Sequence, residues 1–334
     1  MNENVLSIIG NTPLVKLSRI FPGLHFQLYA KLESLNPGGS TKDRPAIEII
    51  KRGLAMGAIG PKTVVVESSS GNMGIGIAQA CAYFGIRFIC VVDPKTTTPN
   101  IRLLRAYGAE VDMVSKPDPT TGEYLNARIK RVKELINNLE DNFWPNQYEN
   151  RLNSNAHHGT MREIVTALNG RVDYLFCATS TCGTLRGCAE YVRDNQLNIK
   201  VCAVDAIGSV IFGGRKSKRL IPGHGAAVRP QLFDDSLAHK YVHVSDLDCV
   251  IGCRQLAHRE AIIAGGSSGA VLMGVDQMRD EIPQGCNCVL ILPDRGERYL
   301  ETIYSDTWVR EHFGKVADMW QTPMEVEPCM MATC

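Results

Sequence analysis

Short runs of apolar and β-branched residues recur along this chain, each followed by a longer stretch of helical period, and that alternation limits the fold more than any other feature. Residues 63–67, 87–92, 110–114, 173–177, 200–204 and 287–292 read as strands, and 26–31 adds another near the start. Residues 72–84, 100–107, 123–139, 161–168, 184–195, 246–263 and 269–281 carry the spacing and capping signals of helices. Strands that are apolar throughout are covered on both faces, which requires helical crossovers and so mostly parallel sheets. The fold class is therefore α/β. At 334 residues the chain has room for about two domains, each with its own core. A polar, Asn-rich stretch from Trp144 to His158 marks the expected crossing between them. The segment after about Gly314 has no period and is expected to be ordered only where it docks on a neighbour.

Charge excludes whole classes of partner. Thirty-six basic residues against 35 acidic leave a net charge of +1, which provides no footprint for nucleic acid or an anionic membrane. An anionic ligand must be held by a few aimed groups. The basic run Arg215-Lys-Ser-Lys-Arg219 is accordingly expected to be a solvated loop. The first ten residues lack the basic start and apolar stretch of a secretion signal, and no run has the length of a membrane span, so a cytoplasmic location is expected. Twelve cysteines lie mostly inside apolar runs, as Cys90 and Cys177 do, and are expected to be reduced core thiols. Cys286/Cys288 and Cys249/Cys253 lack the partner pairs of a zinc site, and His157-His158 lack ligand spacing, so no metal is expected and the histidines are assigned hydrogen-bonding roles.

Four glycine- and hydroxyl-rich loops carry the chemistry. Asn36-Pro-Gly-Gly-Ser-Thr-Lys42-Asp-Arg-Pro45 follows a strand and places a lysine at a helix start, where the positive end of the helix dipole favours a neutral, nucleophilic amine; alone, the residues would equally suit a solvated lysine after a turn. Ser68-Ser69-Ser70-Gly71-Asn72 also joins a strand to a helix, and its free amides and hydroxyls make a receptor for a carboxylate or phosphate, or a plain capped turn. Neither a Walker loop nor a dinucleotide fingerprint fits its glycines. Ser180-Thr181-Cys182-Gly183-Thr184 repeats the geometry, and Gly265-Gly-Ser267-Ser-Gly269 is the fourth such turn. Together with the lysine they point to one anionic cofactor gripped at several places.

In order and spacing, Asn-Pro-Gly-Gly-Ser-x-Lys-Asp-Arg, Ser-Ser-Gly-Asn-x-Gly and Gly-Gly-Ser-x-Gly resemble the fold-type II pyridoxal-phosphate enzymes of the cysteine synthase and cystathionine β-synthase group, over about residues 1–310. The resemblance implies a tryptophan synthase β-like fold of two α/β domains with the cofactor in the cleft between them. It divides the chain into a larger cofactor domain, 1–39 plus 146–314, a smaller substrate domain, 40–145, able to move, and a tail, 315–334. It implies that the cofactor is pyridoxal 5'-phosphate and that Lys42 forms a Schiff base with it. Asn72 would bond its phenolic oxygen, Ser180, Thr181, Cys182, Gly183 and Thr184 would hold its phosphate, and Ser267 would meet its ring nitrogen. Ser68, Ser69, Ser70, Gly71, Arg128, Tyr148 and Ser180 would contact substrate, and a homodimer would be usual.

One departure narrows the resemblance. The group carries Gly-Thr-Gly-Gly-Thr in the phosphate loop, whereas Ser180 and Cys182 replace two of those glycines here. With Trp144-Pro-Asn-Gln-Tyr148, Pro222-Gly-His-Gly-Ala226 and Leu292-Pro-Asp-Arg-Gly-Glu-Arg-Tyr-Leu300, this resembles a siderophore-pathway branch of the staphyloferrin B type, in which O-phospho-L-serine and L-glutamate are joined on the way to 2,3-diaminopropionate. A cysteine synthase using an O-activated serine and sulfide is the alternative, and a catalytically silent binding protein is the reading from another class. Arg128 would hold a glutamate carboxylate, unless it is a solvent-facing arginine on an amphipathic helix.

Overall fold

The computed structural model describes residues 3–320, so most of the C-terminal tail lies outside the described residues. Two sheets organise them. The larger has six strands in the order β1 (Leu14–Lys16), β2 (Gln27–Leu32), β10 (Asn287–Leu292), β7 (Tyr174–Ala178), β8 (Lys200–Ala206) and β9 (Lys240–Val244). All its pairs are parallel except β1 with β2. The smaller is wholly parallel, ordered β5 (Glu110–Met113), β4 (Arg87–Val92), β3 (Val64–Ser68), β6 (Asn142–Phe143), and is formed between β2 and β7 in the sequence. Val64–Ser68 is buried at every position, as a strand covered on both faces must be. The α/β class with mostly parallel sheets is as the alternation predicts.

Helices α1 (Asp43–Ala55), α2 (Asn72–Phe84), α3 (Thr98–Ala106) and α4 (Tyr124–Asn138) belong to the smaller sheet's stretch of chain. The remainder are α5 (Leu152–Ala167), α6 (Gly183–Asp194), α7 (Asp246–Glu260), α8 (Gly266–Met278) and α9 (Asp306–Phe313). Among the described residues no helix is long and apolar enough to cross a membrane. Cys90 and Cys177 are fully buried.

Glycines set the distances that matter for the site. A Cβ on Gly76 of α2 would lie 2.9 Å from Ala46 Cβ and 3.1 Å from the Lys42 carbonyl oxygen, so this glycine lets α2 press against the start of α1. Gly252 of α7 and Gly269 of α8 face each other so closely that a Cβ on either would overlap the other helix's backbone. That contact fixes the first turn of α8. Arg44, just beyond Lys42, ties α1 to the larger sheet: its guanidinium bonds Glu33 at 2.7 Å and Glu163 of α5 at 2.7 Å, and Lys31 of β2 reaches Glu163 at 2.6 Å.

Candidate active site

The carboxyl ends of β2, β3, β7 and β10 open into one cavity of about 800 Å³, the usual place for a ligand in parallel α/β sheets. All four glycine/hydroxyl loops reach its wall, through Lys42, Ser69 to Asn72, Ser180 to Thr184, and Ser267. Lys42 occupies the position just before α1. Burial of its amine lowers the pKa to about 8, while Cys182 and Asp294 act in the opposite direction. A readily neutral amine is what the sequence predicts, and lost hydration is the largest cause. The two glycines of the Lys42 loop are required by the protein's own side chains. A Cβ on Gly38 would lie 2.6 Å from Asp43 Oδ1, and one on Gly39, where φ is +85°, would lie 2.9 Å from Arg298.

Ser69 caps α2 by accepting from the Gly74 amide at 2.9 Å. Ser68, expected among the substrate contacts, is wholly buried as the last residue of β3 and does not form part of the cavity wall. Behind this loop Glu67 accepts from the amides of Ser68 (2.6 Å) and Gln147 (3.1 Å), and burial raises its carboxyl to about 7. Asn72 donates to Asp294 Oδ2 at 2.8 Å and accepts from Arg298, so its amide has one orientation. Tyr299 donates to the same Asp294 oxygen at 2.6 Å, while Asp294 Oδ1 is buried without a partner.

The 180–184 loop meets the start of α6. Cys182 adopts the left-handed conformation, φ +64°, which explains why glycine suits that place; its side chain packs with Ile211 and Leu232. Gly183 must be glycine because a Cβ would lie 2.6 Å from Asn153 Oδ1. Thr184 Oγ1 lies 3.2 Å from His157 Nε2, and Thr160 Oγ1 lies 3.2 Å from the other ring nitrogen. Burial, then the charges of Lys42 and Arg44, push the His157 pKa well down, so a neutral imidazole steadies the loop.

Arg128 does not face solvent. It is 7% exposed, lies on the cavity wall, and its Nε is 3.0 Å from Asp93 Oδ2. Tyr148 stands on the same wall. The basic run is a loop with Arg215, Lys216 and Lys218 exposed, as expected, and Lys216, Lys218 and the half-buried Arg219 also border the cavity. Six cationic side chains stand around it: Lys42, Lys95, Arg128, Lys216, Lys218 and Arg219. Three carboxylates stand with them. Asp93 pairs with Arg128, Glu123 pairs with Lys216, and Asp294 acts on Lys42. Leaving aside Lys42, whose amine is readily neutral, five cations face three carboxylates, an excess of two.

The donor set fits pyridoxal phosphate. Hydroxyls and first-turn amides at α6 suit a phosphate, the lowered amine of Lys42 suits an aldehyde, and Asn72 and Ser267 offer polar groups to a ring between them. A family model described as pyridoxal-phosphate dependent enzyme matches residues 5–294. The chain belongs to that family.

Solved structures agree with the assignment. This pyridoxal-phosphate dependent enzyme is 34% identical to a hydrogen sulfide-producing enzyme from Fusobacterium nucleatum, with 90% of this chain and 100% of that one covered and a TM-score of 0.84. It is 31% identical to an O-acetylserine dependent cystathionine β-synthase from Helicobacter pylori, with coverage of 91% and 99% and a TM-score of 0.85. With an O-acetylserine sulfhydrylase from Entamoeba histolytica the values are 30%, 98%, 94% and 0.84. Residues without a role assigned from sequence also line the site, notably Asp93, Gln147, His224, Asp294 and Tyr299. Of these, Gln147, His224, Asp294 and Tyr299 stand in segments that resemble the siderophore branch, which was the available signal.

Proposed function

We propose that the enzyme performs a β-replacement that joins O-phospho-L-serine to L-glutamate, giving N-(2-amino-2-carboxyethyl)-L-glutamate and phosphate for 2,3-diaminopropionate and siderophore synthesis. The observation that carries this reading is the excess of two cations around the cavity, Lys42 left aside. A phosphoamino acid and a dicarboxylic amino acid bring more negative charge than acetylserine and sulfide do, and each anionic group needs a cation or convergent donors.

When bound, the cofactor supplies the electron sink that lets an amino acid lose its α-proton and then the group on Cβ. On this reading Lys42 carries the cofactor in the resting protein and, once displaced, moves the α-proton as general base; an amine already lowered to about 8 suits that task near neutral pH. Ser69, Ser70, Gly71 and the α2 amides hold the substrate α-carboxylate. Ser180 to Thr184 hold the cofactor's phosphate, and the neutral hydroxyl of Ser267 faces the ring nitrogen. Tyr148, Ser180 and the Arg128–Asp93 pair shape the space for substrate, Arg128 already having a carboxylate partner of its own. Residues 40–145 form the unit that moves, and the working state is a cytoplasmic homodimer.

The similarity to a hydrogen sulfide-producing enzyme and an O-acetylserine sulfhydrylase supports a second reading, a cysteine synthase using acetylserine or phosphoserine with sulfide. Mass spectrometry of the products formed from phosphoserine or acetylserine, offered with glutamate or with sulfide, separates the two. The proposal expects the glutamate adduct from phosphoserine as the dominant product. Cysteine formed in preference under equal supply would replace it.

A further inference from the structure

Arg219 is half-buried, whereas Lys95 and Lys218, which also lack an ion pair among the described residues, are exposed. Its guanidinium donates through Nη1 to the His224 carbonyl oxygen at 2.5 Å, and no carboxylate among the described residues lies within ion-pair distance. It lies across Gly225, where a Cβ would come within 2.6 Å of Nη1 and where φ is +71°. Beside it, His224 is 1% exposed and lines the same cavity, yet neither ring nitrogen has a hydrogen-bond partner. Burial, then the charge of Arg219, pushes that imidazole down to about 3, so it is neutral and offers one N–H.

The segment that carries these two residues is anchored along its length. Leu220 and Ile221 amides donate to Asp246 at 2.9 and 3.2 Å, the Gly225 amide donates to the Thr179 carbonyl at 2.7 Å, and the Ala226 amide donates to Ser209 Oγ at 3.0 Å. Ser180 Oγ reaches the Gly225 carbonyl at 3.3 Å, which links the segment to the 180–184 loop. Asp205, Asp246 and Glu123 act on the half-buried Arg219 guanidinium only from beyond contact distance, and the buried His224 ring nitrogens make no hydrogen bond, so an anionic ligand that touches both would complete them.

We infer that Arg219 and His224 form a carboxylate subsite for the amine-bearing substrate, and that one carboxylate of a dicarboxylic amino acid seats there. The inference deepens the proposed function and rests on it for the identity of that substrate. Arg219 is then a specificity-determining residue for the second half of the reaction, whereas the first half, phosphate release from phosphoserine, does not use it.

Two measurements on the holoenzyme test this. In the product assay with phosphoserine, Arg219→Gln raises the KM for L-glutamate at least tenfold more than it slows phosphate release without amine, and Arg219→Lys recovers part of the loss. In calorimetric titration, glutarate, which has both carboxylates and no amine, binds the wild type and loses at least tenfold in affinity in Arg219→Gln. A glutamate KM left unchanged by Arg219→Gln, where the wild type makes the adduct, overturns the subsite and leaves the proposed function standing. If the wild type makes no glutamate adduct, the proposed function falls and the titration decides the subsite alone. Glutarate that binds both proteins equally, or neither, removes it.

Discussion

Asp294 holds two of the site's polar groups in place, because Asn72 and Tyr299 both donate to its Oδ2. Asp294→Asn replaces one acceptor by a donor and frees the Asn72 amide to turn, a loss of about 1–3 kcal/mol that should weaken cofactor binding roughly tenfold or more in a titration of the apoprotein with pyridoxal phosphate. His224 and Glu67 give pH predictions of opposite sign. The His224 pKa is lowered to about 3 from an ordinary 6.5, so the unfolded chain binds the proton first, and the stability contributed by the neutral ring is lost as pH falls from about 6.5 toward 3. His224→Gln should therefore lose less stability than the wild type between pH 7.5 and 5 in urea melts. Glu67, raised to about 7 from 4.5, contributes most at low pH and loses that contribution as pH rises from 4.5 to 7, so Glu67→Gln should fare better relative to the wild type at pH 8 than at pH 5. At this scale Lys42, Asn72 and Ser267 were legible because each sits in a glycine/hydroxyl loop with a local signature. Asp294 and Arg219 were not, since what defines them is contact with Asn72, 222 positions away, or a half-buried guanidinium with no carboxylate in contact among the described residues.

Helix packing depends on close backbone contact at two pairs. A Cβ at Gly187 of α6 would overlap the Ser154 carbonyl of α5, and one at Gly269 of α8 would overlap the Cys249 carbonyl of α7. Gly187→Ala should cost about 3 kcal/mol or prevent folding, read as a lower urea midpoint, because neither backbone can yield without moving the phosphate loop. Arg44→Met leaves Glu33, fully buried, without its partner, and should cost about 3–5 kcal/mol by the same measure. Strong periodic elements were legible to the residue, as α2, β4 and β10 show. Three-residue β1 and two-residue β6 are too short to carry a pattern. Helix α5 begins at Leu152, nine residues before the expected 161, because Asn153, Ser154 and His157 are buried toward the phosphate loop where an apolar core face would otherwise show the helical period.

The whole molecule is nearly neutral, while its cavity has two cations in excess besides Lys42, so electrostatic attraction to substrate is local and partly exposed to salt. The KM for glutamate should rise several-fold between about 50 and 500 mM salt, with sulfide much less affected if it reacts at all. The alternation of strands and helices gave the α/β class and mostly parallel sheets, since burial on both strand faces is written in composition alone. That the solvated basic run borders the cavity was hidden, because a net charge says nothing about where charges gather. All of the chemistry rests on an amine that carries the cofactor, and borohydride reduction of the holoprotein followed by peptide mass mapping tests it directly. The account predicts a reduced pyridoxyl-phosphate adduct on Lys42 and on no other lysine. An adduct elsewhere, or none on a protein that has taken up the cofactor, would contradict it.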